Sequence, residues 1–196
     1  MTIYQNLLNT ILLILISFLS GSLMISYWLG RIKGKDVRSF GNGNPGAINA
    51  FKAVGWHLGI LAMLLDFLKG AIPIFLINHF LGISDARLIP IAIAPVLGHA
   101  YSPFLDFKGG KTMAVTFGIW SGLTLWEAPM VLGLSFIILK YVIRIKYDAW
   151  SVVLGMPTIL IYLLLRNPDP ILIMIFVLNY IIVIVKHRKE LRIKIG

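Results

Sequence analysis

Residues 112–139 read TMAVTFGIWSGLTLWEAPMVLGLSFIIL, an apolar run of 28 residues interrupted by Glu127 and Pro129. As one long tilted helix it crosses a bilayer once. As two short helices turning at Glu127 it crosses twice, and every later segment changes sides. The rest of the chain decides between the two. Its 196 residues are 58% hydrophobic and 13% charged, with a mean hydropathy of +0.87. A soluble domain carries about twice that share of charge, so the bilayer is the main solvent. Seven spans of ~20 residues consume about 140 residues, which leaves no room for an extramembrane domain. Residues 1–196 therefore read as a single integral membrane unit, with any chemistry in loops or at helix ends.

The remaining spans are plainer. Residues 7–30 are almost wholly apolar and lack the cleavage site of a signal peptide, which predicts a first transmembrane helix. Residues 31–52 form a polar loop with the run Gly41-Asn-Gly-Asn-Pro-Gly46. Apolar stretches follow at 56–80, which carries Asp66 and Lys69, and at 88–104, with His99 near its end. After the segment around Glu127 come spans at 150–165 and 171–185.

Charge settles the count. With a turn at Glu127, one face holds five basic residues between 31 and 52, Lys108 and Lys111, three between 140 and 146, and five between 186 and 194. The other face holds Arg87 and Arg166, and Lys69 lies within a span. Cytoplasmic flanks accumulate Lys and Arg, so this asymmetry predicts an all-α polytopic protein. It has about seven transmembrane helices, an external N-terminus and a cytoplasmic C-terminus; a single span across 112–139 would erase most of the asymmetry. The net charge of +10 is then explained by topology and by anionic inner-leaflet lipid, without nucleic acid. The absence of cysteine excludes disulfides and thiolate chemistry. The four histidines have neither i, i+4 partners nor an acidic cluster, so no metal site is expected.

This topology puts two glycine-rich segments, 41–46 and Lys108-Gly109-Gly110-Lys111, on the same inner face. Two glycines let successive backbone N–H groups turn toward one point, and flanking ammonium groups suit a phosphate. A basic interfacial turn is the simpler reading of Lys-Gly-Gly-Lys taken alone. His99 lies nine residues before Lys108 and can face the same pocket, as a packing group or as a hydrogen-bonding or general-base imidazole. Asp66 and Lys69, three apart on one helix face, read first as a self-neutralising pair. Glu127 reads as an outer-loop charge.

In combination, Gly21-Ser22-Leu23, Gly41-Asn-Gly-Asn-Pro-Gly-Ala-Ile-Asn49, Leu65-Asp-Phe-Leu-Lys-Gly70, Gly98-His99, Phe107-Lys-Gly-Gly-Lys111 and Lys186-His-Arg188 resemble the bacterial acyl-phosphate:glycerol-3-phosphate acyltransferases, the PlsY family. The resemblance spans essentially the whole chain. It implies a multi-pass enzyme of the bacterial cytoplasmic membrane that moves a fatty acyl group from acyl phosphate to glycerol 3-phosphate. The products would be lysophosphatidate and phosphate, in the first step of phospholipid biosynthesis and without a cofactor. Carried over residue by residue, it points to His99 and Lys111 as catalytic. Gly41, Asn42, Gly43, Asn44, Gly46, Asn49, Lys52, Lys108, Gly109, Gly110 and Glu190 would hold substrate and phosphate. Three of these depart from the family pattern: Asn42 stands for a serine, Lys52 for an arginine, and Glu190 for an amide. A carboxylate at 190 repels phosphate unless a neighbour such as Arg188 or Lys189 pairs with it. These departures open one alternative, a divergent paralogue with an altered acceptor or little activity; the competing classes are a small-anion transporter, for which only Asp66 and Lys69 speak, and a non-catalytic membrane scaffold.

Overall fold

The computed structural model describes residues 3–166 and 168–192; the Lys194 counted above lies outside the described residues. Ten α-helices, four shorter helical turns and no strand are present among them. Helix α1 (Ile3–Ser22) turns Leu8, Leu12, Leu15 and Leu19 outward, the surface expected of a helix solvated by lipid. The expected single helix over 7–30 does not form, because α1 stops at Ser22 and α2 (Ile25–Ile32) begins after a two-residue break. The break is stabilised from elsewhere in the chain. Ser102 Oγ donates to the Ser22 carbonyl (2.7 Å), and the Lys69 ammonium donates to the Leu23 carbonyl. Both oxygens would otherwise be freed helix-end acceptors in an apolar setting.

Helix α3 (Ala47–Val54) passes into α4 (Trp56–Phe75) through Gly55, whose φ of +85° permits the corner. Pro73 removes a backbone donor within α4, and the next turn, Leu76–Phe80, widens to i→i+5 bonding. Helix α5 (Leu88–Ala100) returns. The run that decides the fold is two helices, α6 (Met113–Thr124) and α7 (Glu127–Ile137), parted where Leu125 takes a φ of +57°. Helices α8 (Asp148–Gly155) and α9 (Pro157–Arg166) form one nearly continuous rod. Helix α10 (Pro170–Leu191) starts with Asp169 capping the Ile171 amide (2.7 Å) and Pro170 in the first turn. Five helices among the described residues are long and apolar enough to cross a membrane; α6, with 12 residues, is a shorter apolar helix.

Glycines set the packing. Gly70 lies against Val115 and Ile119, Gly118 against Phe67 and Ala71, and Gly122 against Ala71 and Ile74. The two sets of numbers rise together, so α4 and α6 run parallel in close backbone contact, as small residues allow between membrane helices. Gly21 against Pro95, and Gly98 against Phe18 and Ser22, join α1 to α5 in the same manner. Around these pairs Ile91, Val115, Ile119, Trp120, Leu132, Met156, Ile159 and Ile175 form the main core. Asn179 crosses it, accepting from Trp120 Nε1 (3.1 Å) and donating to Thr116 Oγ1 (3.1 Å). Ion pairs mark the two poles: Lys111–Glu190 (2.6 Å) at one, and Glu127–Arg166 (3.0 Å) at the other, where Tyr162 also donates to Glu127. The basic segments gather at the first pole.

A methyl group added at Gly118 would overlap the Phe67 carbonyl oxygen, whereas one at Gly133 would meet nothing closer than Phe117 at 3.9 Å. Gly118→Ala should therefore cost about 1–3 kcal/mol and lower the melting temperature of the detergent-solubilised protein. Gly133→Ala, a helical site with room, should leave it level or slightly higher.

Candidate active site

The first glycine loop hangs from a small second core of Val37, Ala50, Ala53 and Ala62. At its entry the Arg38 guanidinium grips Asp36 through Nε (3.0 Å) and Nη2 (2.7 Å), reaches the Tyr27 hydroxyl (3.3 Å) and lies 4.8 Å over the Tyr27 ring. Hydrogen bonds from Arg38 hold the Asp36 carboxyl at about 2. The loop is tied by Asn49, which is 2% exposed and donates through Nδ2 to Asn42 Oδ1 (3.2 Å) and the Asn44 carbonyl (2.9 Å). Gly41 has a φ of +57°, and a side chain there would overlap Asn49 Oδ1 and press on Lys52 Nζ. Gly43 has a φ of +75°, and Gly46 packs under Asn44. Gly41, Asn42, Gly43 and Lys52 are exposed, so the loop presents amide and ammonium groups to solvent over a buried Asn49.

The second loop is bent by three non-glycine residues in left-handed conformations, Asp106, Phe107 and Thr112. Such positions are costly and cluster at functional sites. Here the expected geometry needs a correction. The Gly110 amide does not point at a free anion seat; it donates to the His99 carbonyl (2.9 Å). Both glycines instead allow contact with the α5 terminus: a Cβ on Gly109 would overlap the His99 carbonyl oxygen, and one on Gly110 the His99 Nε2 atom. Lys108 is exposed beside them.

His99 is 4% exposed, and its buried Nδ1 has no hydrogen-bond partner. Thr112 Oγ1 is likewise buried without a partner. Helix α10 closes the cluster. Lys186 donates to the carbonyls of Ala100 (2.7 Å) and Gly109 (3.4 Å) and lies 4.9 Å over the Tyr101 ring. Glu190 pairs with Lys111, neither Arg188 nor Lys189 being its partner. Lys186 was not among the residues expected in the site. Its spacing of four from Glu190, on one face of α10, is the signal that places both there.

The two loops thus form two clusters at one pole. Gly41, Asn42, Gly43, Asn44, Gly46, Asn49 and Lys52 make the first; His99, Gly109, Gly110, Lys111, Lys186 and Glu190 make the second. No hydrogen bond or ion pair joins them among the described residues. They are linked by an edge-to-face contact between Trp28 and Phe104 (5.7 Å) and by Asp106, whose charge adds a little to the raising of the Arg38 pKa by its hydrogen-bonded partner Asp36. Beneath both lies the buried Lys69–Asp66 pair (2.7 Å), with Ser26 Oγ donating to the second carboxylate oxygen (2.5 Å).

A multi-helix membrane protein that gathers lysines and glycine loops at one pole is suited to an anionic, lipid-linked substrate, and comparison with known proteins makes the class definite. The family model described as glycerol-3-phosphate acyltransferase matches residues 11–195, and the chain belongs to that family of membrane acyltransferases. A glycerol-3-phosphate acyltransferase from Thermotoga maritima is 43% identical across 92% of this chain and 95% of its own. One from Geobacter sulfurreducens is 32% identical across 95% and 94%. The fold matches the crystal structure of PlsY, an integral membrane glycerol 3-phosphate acyltransferase, in its glycerol 3-phosphate form, with a TM-score of 0.86 and 27% identity over 94% of this chain and 90% of that one. The lysophosphatidic acid form of that enzyme matches at 0.85 and 26% over the same shares.

Asn49→Asp replaces the donor that ties the first loop with a carboxylate facing two acceptors. With two hydrogen bonds lost, the KM of the acyl-transfer reaction should rise on the order of tenfold or more, read from steady-state rates in reconstituted liposomes.

Proposed function

We propose that this chain transfers a fatty acyl group from acyl phosphate to the 1-hydroxyl of glycerol 3-phosphate, giving lysophosphatidate and inorganic phosphate. The observation that carries the reading is the cluster of Lys111 and Lys186 with a buried His99 at the same pole as the Asn49-tied loop. Acyl phosphate is a mixed anhydride and already activated. The acceptor oxygen attacks the acyl carbonyl carbon, the new C–O ester bond forms, and the C–O bond to phosphate breaks with the electron pair leaving on phosphate. The hydroxyl proton passes to His99 or to the phosphate. Positioning and electrostatics suffice, so no acyl-enzyme is needed.

In this reading Lys111 holds one phosphate. Lys52 and Lys108, both exposed at the pole, attract and steer the substrates, and Lys52 with the Asn42 to Asn49 loop holds the other phosphate. With the Gly110 amide committed to His99, its part is to bring the loop against the imidazole. The protein works as a single membrane unit of the bacterial cytoplasmic membrane, seven helices crossing it with the N-terminus outside and the C-terminus inside. The separation of α6 from α7 and the basic pole support this orientation.

Lys111→Ala should reduce lysophosphatidate formation from palmitoyl phosphate and glycerol 3-phosphate by at least ~100-fold while the protein still elutes as a folded species. Near-wild-type turnover would exclude this phosphate seat. A cysteine placed at Asn42 should resist a membrane-impermeant maleimide in intact cells and react after lysis; labelling from outside would overturn the orientation.

A further inference from the structure

The Lys111–Glu190 pair is unlike the other ion pairs of the protein. Glu190 Oε1 lies 2.6 Å from Lys111 Nζ, while its second oxygen is buried with no partner. Next to Lys111 stands Thr112, with a buried, unpartnered hydroxyl, and against Gly110 stands His99, with a buried, unpartnered Nδ1. Three polar atoms that lack partners thus sit on Glu190 and on two residues next to the loop that carries Lys111, the kind of group a ligand's oxygens and hydroxyls satisfy. The other ammonium of the cluster, Lys186, is committed to two backbone carbonyls and an aromatic ring. Of these two ammonium groups Lys111 is the one that an anion can take, and a carboxylate already holds it.

We infer that Glu190 is a specificity-determining residue: its carboxylate occupies the anion seat on Lys111, and a substrate phosphate must displace it to bind. The inference rests on the acyl-transfer reading for the identity of the substrate, though not for the competition itself. A carboxylate carries one negative charge and a phosphate monoester carries two at neutral pH. A dianion that takes Lys111 gains the ammonium but meets the displaced carboxylate at close range. A less charged acceptor meets less repulsion. Glu190 thereby weakens phosphate-monoester binding and narrows the preference for the dianion over singly charged or neutral polyols. Arg188 and Lys189, exposed on the neighbouring faces of α10, are the cations toward which the carboxylate can swing once displaced.

The test separates binding from turnover. Inorganic phosphate is titrated by calorimetry into the purified full-length protein as wild type, Glu190→Gln, Lys111→Ala and the double variant. KM and kcat for glycerol 3-phosphate, and the rate with glycerol, are measured in parallel. Glu190→Gln should bind phosphate about threefold to fivefold tighter, lower the KM for glycerol 3-phosphate similarly, and widen its advantage over glycerol. The gain should vanish in the double variant. Glu190→Asn, shorter but also neutral, should show the same direction and guards against a variant that folds poorly. Phosphate binding that is unchanged or weaker in both neutral variants would overturn the inference. So would a loss of kcat with unaltered KM and phosphate affinity, which would make Glu190 a proton acceptor. A tightened phosphate titration with no acyl transfer from any form would leave the inference standing and remove the proposed reaction.

Discussion

The structure depends on one buried ion pair. Lys69 and Asp66, 3% and 1% exposed at their side chains, lie in an apolar interior where a lone charge would cost about 3–5 kcal/mol. They are tolerable because every strong bond they need is supplied. Asp66 takes Lys69 and Ser26, and Lys69 takes the Leu23 carbonyl as well. Satisfying Lys69 requires a bare carbonyl, and a bare carbonyl requires α1 to stop. The interruption between α1 and α2 supplies that carbonyl, and α2 leads from it toward the first glycine loop. The α1–α5 contact adds Ser102 on the next carbonyl, which draws the second loop to the same level.

Much of this was legible in the sequence. The apolar runs gave the helices, the clustering of Lys and Arg gave the poles, and the turn at Glu127 is present as two short helices. What escaped was the break at Leu23, and also helix α3 (Ala47–Val54), which starts inside the stretch expected as a loop. Residues 7–30 contain no proline or charge within the apolar part, and hydropathy cannot register a helix end imposed by a lysine 46 residues away. Glycine loops were legible as loops but not in function. The spacing of Gly109 and Gly110 suggests amides aimed at an anion, whereas the fold uses their missing side chains to admit His99. Local sequence shows that a residue is small, and only the fold shows what fills the space. Glu190 was legible as a problem, and its solution lay with Lys111, outside the helix that carries it.

The far pole is built differently. Glu127, Arg166 and Tyr162 tie α7 to α9 near the left-handed Leu125, and Asp169 caps α10 a few residues on. Short turns and mutual pairing leave few groups free there, while the basic pole keeps its longer loops. Rigidity at one end and reach at the other is the division expected when only one face handles charged substrate.

Helix α10 is the last element among the described residues, and it gives Lys186 and Glu190 to a loop made about 80 residues earlier. On the ribosome that loop is finished and inserted well before its partners exist. The cluster therefore assembles only when this late helix docks, and a shorter nascent fragment in the bilayer holds the loop without Lys186 and Glu190.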